Sequence, residues 1–567
     1  MSKMPVPQTS AEALLCAMKS GGVDYLFANA GTDFPPVIEA YARAEKTALE
    51  MPAPLVVPHE NVAVGMAHGH YLVSGHTQAV MVHVNVGLAN TAMAVINAAS
   101  DNVPVLLCSG RTPATEKGRL GSRNRPIHWG QEMRDQGALV RESVKWDHEL
   151  RYGEQAGPLA ARALAVANSA PPGPVYLSLP REALAEALPG SAGPVAAMAA
   201  SAAGPTDQAA IEAAADMLAG ARKPLIIAHR VASDQAWSAL ADLAARFAIP
   251  VIEYWATRNT LSTEHPFFAG REPGPWLAEA DVVVALDAMV PWVPQLEAPA
   301  PGAKVIGIGH DPLFARIPVR EFAVDANLAG EPALALGALA AALDRRGLAD
   351  SAATAERRAR VAERIGAQRE KAEAAIAAPG TGPMSPAYVS RCISDAKAED
   401  AILFNELACI LPVMRFTRPK TLFGNILAGG LGWGLPAALG AKLAVPERDV
   451  IACIGDGSYI FANPVACHQT AAMHDIPVLT IVFNNAVWNA VRRATTYMYP
   501  QGEAVRANVM PMTSLGAPPD YAAIARAHGA FAEQVSAAAD LPGALERALH
   551  ATRHERRQAL LDVAVSY

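Results

Sequence analysis

The chain has 567 residues, of which 51% are hydrophobic, and its 47 basic and 54 acidic residues leave a net charge of −7. That length predicts three or four domains with sizeable cores, and the charge balance argues against a nucleic-acid surface or a disordered acidic tail. No run of about 20 apolar residues would span a bilayer, and cysteines at 16, 108, 392, 409, 453 and 467 without a CxxC argue against metal or disulfide roles.

The opening, residues 1–22, reads as a short lead and an amphipathic helix without the apolar core of a signal peptide, so a cytoplasmic protein with reduced thiols is expected. In the first third, 54–58 (PLVVP), 78–84 (QAVMVHV), 103–110 (VPVLLCSG) and 174–179 (PVYLSL) read as strands. Residues 184–205, rich in Ala, Pro, Gly and Ser, read as a linker. The middle third gives 223–229 (KPLIIAH), 249–255 (IPVIEYW), 281–287 (DVVVALD) and 303–309 (AKVIGIG). A second linker is expected over 350–386, with a charged helix-like run inside it. The last third gives 401–406 (AILFNE), 449–455 (DVIACIG), 476–485 (IPVLTIVFNN) and 560–565 (LLDVAV). Each third alternates short apolar runs with helical patterns, which predicts an α/β chain of three mainly parallel sheets covered by helices. The domains are expected at 1–183, 206–349 and 384–567.

Two motifs near the C-terminus carry the most chemistry. Gly455-Asp456-Gly457-Ser458 closes one strand and Asn484-Asn485 closes the next, with a helical stretch over 464–474 between them. A strand–helix–strand unit puts both motifs at the same sheet edge, where open α/β folds bind ligands. Asp456 offers an anionic oxygen and Asn485 an amide oxygen, a set suited to Mg2+ on a diphosphate, and the glycines let backbone approach closely. In the first third, Pro58-His59-Glu60-Asn61 ends a strand ahead of a helix over 62–73. Glu60 can be a proton-sharing carboxylate or simply an acid at a helix start. The glycine-rich segment 424–440 (GNILAGGLGWGLPAALG) is either a third ligand loop or a plain strand-to-helix connection.

With these motifs at this spacing, the chain resembles, almost end to end, the thiamine-diphosphate enzymes of the acetohydroxyacid synthase, pyruvate decarboxylase and benzoylformate decarboxylase group. The resemblance implies a pyrimidine-binding first domain, a central domain and a diphosphate-binding third domain, the first and third sharing the cofactor-binding fold. It implies Mg2+ on Asp456, Asn485 and the backbone carbonyl of Val487, with Gly455, Gly457 and Ser458 at the diphosphate. Glu60 would share a proton with the aminopyrimidine ring. Leu431, ahead of Gly432-Trp433, would support the bent cofactor, and the Gly429 carbonyl would accept from its amino group.

For the substrate side, His83 matches an active-site histidine of benzoylformate decarboxylase, with a satisfied loop histidine as the alternative. Asn85 is the neighbouring polar candidate. Thr32, in NAGTDF, matches a serine there, with a turn or cap role as its rival. Gln131-Glu132 resembles a glutamine-bearing loop of acetohydroxyacid synthases. Arg111, Arg119, Arg123 and Arg125 precede it, either as an anion-binding loop or as a solvated face. Trp488 can wall the pocket or only pack. The tryptophan and glutamine pattern after the double asparagine, the flavin-binding stretch and the paired histidines of particular subgroups are missing, so FAD is not expected.

The implied activity is a decarboxylase or carboligase of a small-molecule 2-oxoacid. The alternatives are a 2-hydroxyacyl-CoA or oxalyl-CoA lyase, disfavoured by the few residues after the last strand, and a non-catalytic cofactor-binding paralogue, disfavoured by Glu60. No nucleic-acid or membrane partner is expected. The family plan implies a homodimer with active sites shared between chains, doubled to a homotetramer.

Overall fold

The computed structural model describes residues 6–189, 195–374, 376, 382–424 and 426–566. Parts of both linker stretches and Asn425 of the glycine-rich segment lie outside the described residues. The first sheet comprises β1 Tyr25–Ala28, β2 Ala53–Val56, β3 Gln78–Val82, β4 Val105–Arg111, β5 Asp147–Glu149 and β6 Val175–Pro180, in the order β2-β1-β3-β4-β6-β5. The second comprises β7 Pro224–Ala228, β8 Val251–Glu253, β9 Val282–Leu286, β10 Lys304–Gly309 and β11 Ala326–Ala329, in the order β11-β10-β9-β7-β8. The third comprises β12 Ile402–Glu406, β13 Leu422–Gly424, β14 Val450–Gly455, β15 Leu479–Asn484, β16 Phe531–Val535 and β17 Ala559–Ala564, in the order β13-β12-β14-β15-β17-β16.

Neighbouring strands in all three sheets run parallel. Most strands legible in sequence are buried on both faces, such as β3 and β9, whose residues are all buried, while β2 is legible although its residues are mostly exposed. Among the described residues five strands escaped: β1 (YLFA), β11 (ANLA) and β13 (LFG), too short to stand out, and β5 (DHE) and β16 (FAEQV), which lie at equivalent sheet edges and carry no apolar run.

The first and third sheets have the same strand order, so the two domains repeat one topology. In each, the order reverses between the first strand and the third: β1 against β3, and β12 against β14. Ligand crevices open at such points, at the carboxyl ends of the strands. His83 follows β3, and Asp456 follows β14; the two residues stand at matching places in the repeat.

The helix after β2, Glu60–Ser74, packs on the helix after β13, Gly434–Ala444, almost backbone to backbone. A Cβ at Gly69 would lie 1.9 Å from the Ala437 carbonyl oxygen, and one at Gly440 1.9 Å from that of Met66. This close approach explains the small residues along both helices. One apolar cluster runs through both domains, from Phe27 and Val62 to Phe404 and Trp433, while the central domain keeps its own core.

The stretch 350–386 is not simply a linker. Its helix, Ala352–Ala374, folds onto the central domain. Arg357, 2% exposed, donates to the Phe247 carbonyl at 2.6 Å and the Ala221 carbonyl at 3.2 Å, and Val361 and Ile365 enter the central core. The charged sequence hid this because the buried guanidinium is satisfied by free carbonyls at the ends of neighbouring helices. Among the described residues no helix is long and apolar enough to cross a membrane.

Candidate active site

Asp456 opens the helix Asp456–Phe461 directly after β14 and is 3% exposed. Its Oδ1 accepts from the Gly457 N–H at 2.8 Å, while its Oδ2 accepts from Asn485 at 3.2 Å and Ala486 at 2.6 Å. The carboxylate thus ties the ends of β14 and β15 into one rigid edge. Asn485 turns its amide oxygen back to the Val487 N–H at 3.1 Å, and Ala486 has φ of +58°, so the chain doubles back around this point. Burial pushes the Asp456 carboxyl above its ordinary range, against the pull of backbone N–H groups. Among the described residues no Lys or Arg forms an ion pair with it. A buried carboxylate without a cation, beside an amide oxygen and a tight turn, is a donor set that fits a divalent ion. Trp488 packs its ring on Gly457, where an added Cβ would come within 2.2 Å, and meets Phe461 edge-on at 5.7 Å.

The glycine-rich loop between β13 and the helix Gly434–Ala444 is held from two sides. Glu406, at the end of β12, accepts from the Gly432 and Gly434 N–H groups, each at 2.6 Å. Burial drives its pKa up to about 7, opposed by those N–H groups and the Ser458 hydroxyl. Asn97 in the first domain pairs with both the carbonyl (2.9 Å) and the N–H (3.1 Å) of Gly430. Gly429 and Gly432 adopt φ of +70° and +80°. At Gly432 a Cβ would also strike the Phe461 carbonyl carbon at 2.4 Å, so the Leu431 side chain is presented by a turn that only glycine permits. Glu406 and Asn97 were not legible in the sequence, since each acts on a partner distant along the chain.

Glu60 is the first residue of its helix, where the helix dipole favours an acid, and it accepts from the Asn90 amide at 3.1 Å. The helix begins at Glu60 itself, two residues earlier than the pattern suggested.

Residues 8–139, 211–339 and 408–563 match the family models described as the N-terminal TPP binding, central and C-terminal TPP binding domains of thiamine pyrophosphate enzymes. The chain belongs to the thiamine pyrophosphate enzyme family. It is 27% identical over 553 residues to benzoylformate decarboxylase of Pseudomonas aeruginosa, covering 94% of this chain and 96% of the relative. It is 28% identical over 562 residues to an acetolactate synthase large subunit of Mycobacterium tuberculosis, covering 97% and 95%. Its fold matches the structure of the 4-hydroxybenzoylformate decarboxylase of Rhodococcus jostii with a TM-score of 0.76 at 22% identity, covering 99% of each chain. The protein is accordingly a thiamine-diphosphate-dependent enzyme of the carbon–carbon lyase or transferase class.

On the substrate side, this family member brings some of the candidates together. His83 caps the helix Val84–Ser100, its Nδ1 lies 2.5 Å from Asp33 Oδ1, and Gln131 Nε2 lies 3.3 Å from its Nε2. The carboxylate of Asp33 pushes the imidazole pKa above its ordinary value. Asn85 and Gln131 each keep a buried side-chain oxygen without a partner. Thr32 has an exposed side chain, and its carbonyl accepts from Arg181 at 3.0 Å. Arg181, not singled out in the sequence, also donates to the Gly121 (2.6 Å) and Ser122 (2.9 Å) carbonyls, so it staples the arginine-rich loop to the Thr32 turn.

Within that loop, Arg111 pairs with Glu132 (3.0 Å) and Glu149 (2.5 Å), Arg119 with Glu186 (3.3 Å), and Arg123 with Glu132. These three guanidiniums already hold protein carboxylates.

Proposed function

We propose that the protein is a Mg2+- and thiamine-diphosphate-dependent decarboxylase of a 2-oxoacid, acting in the cytoplasm. The observation that carries decarboxylation is His83, placed at the carboxyl end of β3 with a carboxylate on one ring nitrogen and a polar amide at the other. A proton donor held this way suits release of an aldehyde. Asp456, Asn485 and the Val487 carbonyl would hold Mg2+, and Gly455, Gly457 and Ser458 would receive the diphosphate on N–H groups at the start of a helix. Gly429 and Leu431 would shape the bent cofactor, and Glu60 would carry a proton to and from its pyrimidine ring. When bound, the cofactor supplies a nucleophilic carbon and an electron sink for the bond to the departing carboxyl group. Asn85, Gln131 and Thr32 would orient the substrate. A second reading, carboligation, draws support from the acetolactate synthase relative, whose identity to this chain is as high as the decarboxylase's.

Two further parts of the proposal rest on surfaces. Val86 and Ile96, on the helix Val84–Ser100, and Ile460, Phe461, Val465 and Met473, after the Gly455–Ser458 motif, are exposed apolar side chains, and the helix Asn489–Met498 buries none of its residues. Such a surface favours a second copy of the chain as its cover, giving a homodimer with shared sites, or a tetramer of two such pairs. In the central domain, the crevice between β7 and β9 is spanned by Arg230, which donates to Asp287 at 2.9 and 3.3 Å. Because the flavin-binding stretch of some relatives is unmatched in this chain, purified protein is expected to lack a flavin absorbance band; a stoichiometric band would contradict this.

The reaction itself is tested by offering a panel of aromatic, aliphatic and cationic 2-oxoacids to protein loaded with thiamine diphosphate and Mg2+. CO2 should be released with an equal amount of aldehyde from at least one of them. Full cofactor loading without CO2 from any would overturn the reading.

A further inference from the structure

We propose that Asp33 is a positioning residue that fixes His83 as the proton donor of this enzyme, with Nδ1 on the Asp33 carboxylate and Nε2 turned to the reaction space beside Gln131. The inference rests on the decarboxylase reading above and names the device that would supply its proton.

The contact spans the crevice between β1 and β3, the counterpart in the first domain of the crevice that holds Asp456 in the third. Both Asp33 oxygens are engaged: Oδ1 takes Nδ1 of His83 at 2.5 Å, and Oδ2 takes the Val84 N–H at 3.1 Å. The carboxylate is 2% exposed, so this pairing is its principal solvation. The surrounding backbone is shaped to it. A Cβ at Gly31 would fall 2.1 Å from His83 Nδ1, and one at Gly110 1.6 Å from Asp33 Oδ2. Val84, a β-branched residue, is held at φ of +31°, a strained conformation stabilised by the same carboxylate through its N–H. Two exclusions of side chain and one strained residue around a single ion pair point to a geometry selected for orientation.

With Nδ1–H committed to Asp33, Nε2 is the nitrogen free to exchange a proton. Gln131 meets it with its amide and leaves Oε1 buried without a partner. The amide's two ends are interchangeable in shape. When the ring is cationic, Oε1 can turn to accept from Nε2–H, which leaves the amide N–H2 to donate to an anionic substrate oxygen. The charged groups facing the ring are Asp33, from the turn after β1, and Glu60, at the start of its helix; both favour the cation, and the amide of Gln131 is neutral. The overall exchange balances: a 2-oxoacid anion and one proton give an aldehyde and CO2. The bond to the carboxyl carbon breaks, a C–H bond forms at the former carbonyl carbon, and the proton given by Nε2 is restored from solvent.

The test uses the full-length protein, its Asp33→Asn and His83→Ala variants and the double variant. Titration of the His83 ring is followed by NMR on histidine-labelled protein without cofactor or substrate, with His83→Ala identifying its signal. In Asp33→Asn the ring should titrate at lower pH than in wild type. In the loaded enzyme, the fall of kcat/KM at high pH should move in the same direction, and kcat should drop by about 100-fold, the scale of general acid help. Asp33→Asn should add no further loss to His83→Ala, because it acts through that ring. An unchanged titration, or an equal loss of rate with and without His83, would overturn the proposal. Should Asp33→Asn fail to fold, Asp33→Ser carries the same comparisons. Because the titration needs neither cofactor nor substrate, it can fail while the reaction assignment stands, and the reverse.

Discussion

Replacing Glu60 with Gln is expected to cost at least about 100-fold in turnover while most of the affinity for thiamine diphosphate remains. The amide keeps the size of the carboxylate and can still accept from Asn90, which lies 3.1 Å away, so the first turn of the helix stays as it is. What it loses is the capacity to carry a proton. A Gln variant with near-normal turnover would remove Glu60 from the mechanism, and one that no longer bound cofactor would make it an anchor instead.

Asp456→Ala should have the larger effect on binding. It removes the anionic oxygen of the proposed Mg2+ site and strands the N–H groups of Gly457, Asn485 and Ala486, which now share that carboxylate. Losing an outer-shell partner of a metal site costs 10- to 100-fold, roughly, so loss of a direct ligand should exceed about 100-fold in cofactor affinity. Calorimetry with Mg2+ present measures this directly; undiminished affinity in the variant would refute the assignment.

Much of the fold was legible because its buried strands are short, wholly apolar runs between helical patterns. The edge strands β5, β11, β13 and β16 were not, because edge strands need no long apolar run, and the interior strand β1, only four residues long, was missed as well. The helix Ala352–Ala374 looked like solvated linker because Arg357, charged in sequence, is buried against carbonyls supplied by the central domain. In the site, the two motifs after β14 and β15 were legible because each is a local requirement: glycines for approach, an acid and an amide at strand ends. Asp33, Glu406, Asn97 and Arg181 were not, for a common reason. Each acts on a residue far along the chain, as Asp33 does on His83 and Asn97 on Gly430, and only the folded topology brings the partners together. Ordinary local readings also competed: Asp33 sits in a turn-like NAGTDF, where an aspartate needs no special explanation.

The repeat of one topology in the first and third domains gives the account its central claim, that Glu60 of one domain and Asp456 of the other serve a single cofactor across a pair of chains. Co-expression of a Glu60→Gln chain with an Asp456→Ala chain tests it most directly. Each is expected to be inactive alone. A mixed dimer would contain one site carrying both substitutions and one carrying neither, so CO2 release from the 2-oxoacid substrate should return to part of the wild-type rate. Mixed dimers that form, bind cofactor and yet stay inactive would show that each site is built within one chain, and would contradict the account.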